Sequence, residues 1–180
     1  NNDFLKVSEN QISENKLTVF GNLPYNISTK ILLKWILNLN SNLWFEALVL
    51  MFQKEVADRI ISKYNTSNYG RLSVISNWKL NIKKIIDVSP NSFKPKPKIE
   101  SSVLLFTPKK EYPNLNSSKS LEKVTRIFFN QRRKKIRKSF DQLFKDSDLT
   151  AKRLGIDLNL RPQNLDFNDY FKIAKELENS

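Results

Sequence analysis

Two periods of apolar residues alternate along the first half of the chain. Leu17-Thr18-Val19-Phe20 is a short run that predicts a strand. Beyond it Ile31, Leu32, Trp35, Ile36 and Leu39 recur at helical spacing and mark one buried face, with Ser28 as the expected N-cap and Asn38 to Asn42 ending the helix. Ala47 to Phe52 is a continuous apolar run of strand length, the pattern of a central parallel strand covered on both faces. A short helix is expected from Lys54 to about Ser62, with Val56, Ile60 and Ile61 inward. Tyr64 to Gly70 is polar and loop-like, with a special backbone angle expected at Gly70. Leu72, Ile75 and Trp78 predict another helix from Arg71 to about Leu80. Ile82 to Val88 and Ser102 to Thr107 are strand-like with no helix between them, so they are expected to pair antiparallel at a sheet edge.

The pattern changes at Pro108 to Ser118, a polar stretch read as a linker, and is helical beyond it. Leu121, Val124, Ile127 and Phe128 form a stripe that Ile136, Phe140, Leu143 and Phe144 continue. Leu149 to Leu154 is a short helix stopped by Gly155, a left-handed cap, and Asn168 to Leu177 is the last helix. The expected division is therefore residues 1–112, an α/β part, and residues 113–180, a small all-α part.

Composition narrows the chemistry. The chain has 180 residues, enough to bury a core, and no cysteine or histidine. Disulfides, thiolate metal sites and imidazole catalysis are thereby excluded within it, and no metal site is expected. Thirty-one Lys and Arg against eighteen Asp and Glu give a net charge of +13, which calls for a polyanionic partner. No run approaches the length of a membrane span, so a cytoplasmic, membrane-free location is expected.

The stretch Gly21-Asn22-Leu23-Pro24-Tyr25-Asn26-Ile27-Ser28 leaves the first strand and enters a helix, the place where open α/β sheets carry their chemistry. Asn22 brings an amide oxygen, Pro24 has no N–H and holds Leu23 extended, and Tyr25 adds a flat ring. Acceptors beside a stacking ring suit a planar ligand with an exocyclic amine, such as adenine. The competing reading is an ordinary turn with a structural Pro and a core Tyr.

Ser92-Phe93-Lys94-Pro95-Lys96-Pro97-Lys98 is an extended, stiff loop carrying positive charge and one aromatic ring. Phe93 either stacks on a base while Lys94 and Lys96 hold phosphates, or plugs the core under the loop. Phe128 to Phe140 contains Arg132, Arg133, Lys134, Lys135, Arg137 and Lys138 with no acid among them. If helical, it stacks Arg133 and Arg137 on one face, a surface for a phosphate backbone.

Together GNLPYNIS, FQKEV, YGRLSV, SFKPKPKIESSV, FNQRRKKIRKS and LGIDLNLRPQNLDFNDYFKIA, in this order and spacing, closely resemble the bacterial small-subunit rRNA adenine N6 dimethyltransferases. The erythromycin-resistance rRNA methylases and the mitochondrial transcription-factor relatives are similar in the first half. The resemblance runs from Asn1 to about Lys175. It implies a Rossmann-like methyltransferase sheet, here partial, with a helical RNA-binding domain, transferring two methyl groups from S-adenosylmethionine to adenine N6 in small-subunit rRNA. The implied partner is that RNA or the immature small subunit, and the implied state is a monomer. Carried over residue by residue, Asn22 and the Leu23 carbonyl would bind the adenine amine, Tyr25 and Phe93 would sandwich the flipped base, and Asp3 would meet the cofactor's own adenine. The family's Gly-rich cofactor loop has no counterpart among Gly21, Gly70 and Gly155. The expectation is a C-terminal portion of such an enzyme, inactive alone, and the alternative is a noncatalytic RNA-binding or ribosome-assembly module. A DNA adenine methylase is a further rival.

Overall fold

The computed structural model describes residues 15–39 and 44–180. It divides into two compact units, one built from residues up to Ile61 together with Lys79–Glu111, the other from Ser62–Trp78 and Tyr112–Ser180.

The first unit contains strands β1 (Leu17–Asn22), β2 (Phe45–Gln53), β3 (Leu80–Val88) and β4 (Ser101–Pro108), with helices α1 (Tyr25–Leu37) and α2 (Lys54–Ile61). The strand order is β1-β2-β4-β3. β1 and β2 run parallel, whereas β4 lies antiparallel to both β2 and β3. The first two strands thus end, and β4 begins, at the same end of the sheet.

α1 starts four residues earlier than a cap at Ser28 implies. Pro24, held at φ −55°, occupies the N-cap, and its carbonyl accepts from the Ile27 and Ser28 N–H groups at 3.0 Å. Ser28, expected as the cap, is instead inside the first turn and donates its hydroxyl to the Tyr25 carbonyl. The apolar face itself is as read: Ile31, Leu32, Trp35, Ile36 and Leu39 are buried.

β2 departs from the sequence reading. It is parallel to β1 alone, and its burial alternates: Phe45, Leu48, Leu50 and Phe52 are fully enclosed, while Ala47, Val49 and Met51 keep some exposure. An apolar run records that neither face carries charge; it does not record the direction of the neighbours. α2 likewise buries Ala57 and Ile60 most deeply, with Val56 and Ile61 only half-buried. The β3–β4 pair forms antiparallel at the sheet edge, as expected, with a register shift between Lys84 and Ile86.

α3 (Arg71–Lys79), as far as Trp78, belongs to the second unit, where it joins α4 (Ser118–Asn130), α5 (Arg137–Asp141), α6 (Ser147–Leu154) and α7 (Phe167–Asn179). The sequence division at residue 112 therefore lies beside the observed junction but misplaces Ser62–Trp78. The reason is long-range packing: Trp78 donates its indole N–H to the Pro113 carbonyl at 2.8 Å, and the Tyr69 ring lies against Phe129, Phe167 and Tyr170. Gly70 has no positive φ; Asn65 does, at 64°, the left-handed region that Asn tolerates. Gly70 instead opens α3, its carbonyl accepting from Val74 N–H and its N–H donating to Ser73 Oγ. Gly155, at φ 70°, closes α6 in the left-handed region as the sequence suggests.

Candidate functional site

Asn22 is the last residue of β1 and pairs with Met51 of β2. Alternation along the strand puts Thr18, Phe20 and Asn22 on one face, and all three are exposed, Phe20 by 77%. The preceding Gly21 leaves room for the Leu50 side chain, because a Cβ there would sit 2.7 Å from Leu50 Cδ2. Pro24 is exposed and its carbonyl is consumed in starting α1. The Asn22 amide makes no hydrogen bond within the described residues, so it and the Leu23 carbonyl are the loop's remaining acceptors. Tyr25 follows as the first residue of α1, half-buried.

The hydroxyl of Tyr25 lies 2.7 Å from Ser101 Oγ at the start of β4. Ser101 stands opposite Gln53 on one side and Val88 on the other, so the loop after β1 and the 89–100 loop meet at one end of the sheet. This is the carboxyl end of the parallel pair, the position that strand geometry assigns to ligands. Phe93 is half-buried within that loop, while Lys94, Lys96 and Lys98 are exposed.

Side-chain contacts with no counterpart in the sequence pattern secure the loop's two ends. Lys54, at the start of α2, donates to Glu100 at 2.5 Å, and this hydrogen bond with its ion pairing raises the Lys54 pKa. Ser102 donates to Asp87 at 2.5 Å, and Lys84 adds a contact at 3.1 Å; both hold the Asp87 carboxyl below its ordinary value. Lys84 also lies 3.6 Å from Asp58 in α2. Lys54–Glu100, Ser102–Asp87 and Lys84–Asp58 each join residues from different elements or loops, which is why spacing along the chain does not reveal them. Asp3, expected at the cofactor, lies outside the described residues.

The family model for ribosomal RNA adenine dimethylase matches residues 1–179. The chain belongs to the ribosomal RNA adenine dimethylase family. It is 65% identical over 178 residues to ribosomal RNA small subunit methyltransferase A of Pelagibacter ubique, covering 99% of this chain and 68% of that relative. Against the protein of the same name from a Wolbachia strain of Drosophila simulans the identity is 39%, covering 98% and 64%. The chain thus spans about two thirds of the length of these curated relatives. The crystal structure of a dimethyladenosine transferase from Plasmodium falciparum superposes with a TM-score of 0.81 at 25% identity, covering 99% of this chain and 71% of that one. The α/β sheet is accordingly the Rossmann-like methyltransferase sheet of this family.

In this dimethylase-family chain the basic segment is not one helix. α4 ends at Asn130, a turn follows, and α5 begins only at Arg137, so Arg133 and Arg137 do not share a helical face. Several of its cations are occupied. Arg132 donates to the carbonyls of Thr66 and Ser67 and to Gln163 Oε1, Lys135 donates to Asn159, and Arg137 pairs with Asp148 at 2.9 Å. The break lets Ile136 bury fully while its N–H reaches the Leu160 carbonyl at 2.9 Å, a tie that a continuous helix would forbid. Arg133, Lys134 and Lys138 are exposed, with no ion pair to the described residues.

No helix among the described residues is long and apolar enough to cross a membrane.

Proposed function

We propose that the protein to which this chain belongs transfers methyl groups from S-adenosylmethionine to N6 of adenines in small-subunit rRNA. The observation that carries this reading is the exposed Asn22 amide at the carboxyl end of β1, beside the Tyr25 ring and at the same sheet end as the Phe93 loop. Family membership supports it, and the relatives' own names specify methylation of small-subunit ribosomal RNA.

Asn22 Oδ1 and the Leu23 carbonyl would accept the two N–H bonds of the adenine amine. That geometry draws the nitrogen lone pair out of conjugation with the ring and fixes its direction. Tyr25 stacks on one face of the flipped base, and Phe93 closes the other. The same acceptors stabilise the positive charge that develops on N6 as the bond to carbon forms, and the proton then leaves to solvent. No histidine is needed for this. When bound, a sulfonium cofactor would supply the methyl group by breaking its sulfur–methyl bond and would leave as the neutral thioether; Asn22 and Asp3 are its proposed contacts, and an exposed amide at a strand end suits such a contact. Lys94, Lys96, Arg133, Lys134 and Lys138 are the proposed phosphate contacts, with Arg132, Lys135 and Arg137 principally holding the second unit together.

The test is Asn22→Ala in the full-length protein. Methyl transfer to undermethylated small subunits should fall at least 100-fold with RNA affinity within a few fold, in line with the loss of one transition-state acceptor. Equal losses of binding and turnover would make Asn22 a scaffold residue and remove the proposal's support.

A further inference from the structure

In the second unit a cleft of ≈ 370 Å³ is lined by Arg71 of α3 and by Lys119, Glu122, Lys123 and Arg126 of α4. Four cations face one carboxylate, and no aromatic or aliphatic residue lines the cleft. Small-molecule sites of this volume are lined predominantly by apolar and aromatic groups, so this one is built for an anion. Without a ring to stack on, it offers nothing to a base and everything to a phosphodiester.

Spacing explains why the cations converge. Lys119, Lys123 and Arg126 sit at i, i+4 and i+7 on one face of α4, and all three are exposed. None has an ion pair with a described residue. Like charges at i, i+4 repel along a helix, an unfavourable arrangement that an arriving anion relieves. Arg71 is held by Glu122 through one terminal nitrogen at 2.9 Å, while its Nε is buried with no hydrogen-bond partner. A guanidinium engaged by a carboxylate through one terminal nitrogen keeps its other terminal N–H groups for an oxyanion. The end of α4 is not the attraction. Its first-turn N–H groups are capped by Ser117, whose Oγ accepts from Lys119 N–H and whose carbonyl accepts from Ser120 N–H, and Glu178 holds that cap through Asn116 N–H, Ser117 N–H and the Ser120 hydroxyl.

We propose that this cleft is a second RNA-contact site, taking the phosphodiester backbone without regard to sequence, formed by Arg71, Lys119, Lys123 and Arg126. It rests on the rRNA reading above and adds to it a surface outside the basic segment at 132–138.

The experiment measures binding of a mixed-sequence single-stranded oligoribonucleotide to the full chain at several salt concentrations, for the unsubstituted protein and for Lys119→Gln/Lys123→Gln/Arg126→Gln. Gln is a good helix former and these positions face water, so the fold should be retained, checked by thermal melting. The triple variant is expected to bind roughly an order of magnitude more weakly, with the salt slope reduced by roughly 2 to 3, at 0.7–0.9 per lost phosphate contact. Should the triple variant melt early, Lys123→Gln and Arg126→Gln singly are each expected to lower the slope by roughly 0.7–0.9. Inorganic phosphate should compete with RNA beyond chloride at equal ionic strength, and that excess should vanish in the variant. An unchanged RNA affinity and slope overturns the proposal, and if phosphate binding alone is lost the cleft is a small-anion site. Arg133→Gln/Lys134→Gln serves as the parallel set. If it weakens binding and the cleft set does not, the cleft inference alone fails; if the unsubstituted chain binds no RNA, both readings fail.

Discussion

The Tyr25 hydroxyl and Ser101 Oγ stand 2.7 Å apart, joining two positions separated by 76 residues of chain. The bond fixes the azimuth of the proposed stacking ring and ties the first turn of α1 to the start of β4. Tyr25→Phe and Ser101→Ala each break the same bond and leave the ring in place. Each is expected to cost about 1 kcal/mol in single-turnover methyl transfer by the full-length protein, and the double variant should cost no more than either. Additive losses would show that the hydroxyls do not act on each other. Tyr25→Ala should lose a further ~1–3 kcal/mol from base stacking.

Tyr69 is enclosed within the aromatic cluster of the second unit, and its hydroxyl finds no hydrogen-bond partner. Burial, then the nearby Asp166 and Asp169, push its pKa far up, so it stays neutral. The hydroxyl is a liability in the folded state, since a buried polar group without a partner costs about 1–3 kcal/mol. Tyr69→Phe keeps the ring contacts and should leave unfolding stability unchanged or raise it in urea titrations. Destabilisation by about 1 kcal/mol or more would reveal an acceptor for that hydroxyl.

Glu178 carries a pH dependence of the second unit. Burial opposes its ionised form, but hydrogen bonds from Asn116 N–H, the Ser120 hydroxyl and Ser117 N–H, with Lys175 nearby, hold its pKa below 4.5. A carboxyl lowered on folding stabilises the native state above its unfolded value, and that contribution disappears as pH falls through the folded value. Glu178→Gln should therefore lower stability at pH 7 by about 1.5–3 kcal/mol, the range for hydrogen bonds to a charged group. The gap should narrow steadily as pH falls below 4.5. Thermal melting of both proteins from pH 7 to 3 checks this; a gap that stays constant with pH would rule out the carboxylate charge as its cause.

Much of this architecture is written locally. The apolar spacing from Ile31 to Leu39 marks the buried face of α1, and Gly155 marks the end of α6, because both depend on neighbours within one or two turns. The start of α1 is not legible in the same way, because Ser28 is a good cap by type whereas Pro24 pre-sets the backbone earlier. The basic segment reads as one helix because charges carry no periodic signal of their own. It is the burial of Ile136 and the reach of Arg132 to Thr66, Ser67 and Gln163 that require the turn. The site divides the same way. Asn22 through Tyr25 is a contiguous motif and legible, while Ser101, Lys54 and Glu100 become visible only when β4 is placed beside β2. Arg71 and the Lys119 to Arg126 row belong to stretches 48 or more residues apart, and their charge density is lower than that of the run that follows, so nothing in the sequence singles them out.

The reversed direction of β4 bears on how such a protein can diversify. Because β3 and β4 form a hairpin, the 89–100 loop both leaves and re-enters the sheet at the end where Asn22 sits. Lengthening such a loop costs little, since closure entropy grows only logarithmically with length. Its ends are anchored independently by Lys54–Glu100 and Asp87–Ser102. Insertions or exchanges between Ser89 and Ile99 can therefore redraw what approaches the Asn22–Tyr25 loop without changing a single strand pairing. Descendants can acquire new substrates at this loop while inheriting the same acceptors, a separation of recognition from chemistry that the topology provides.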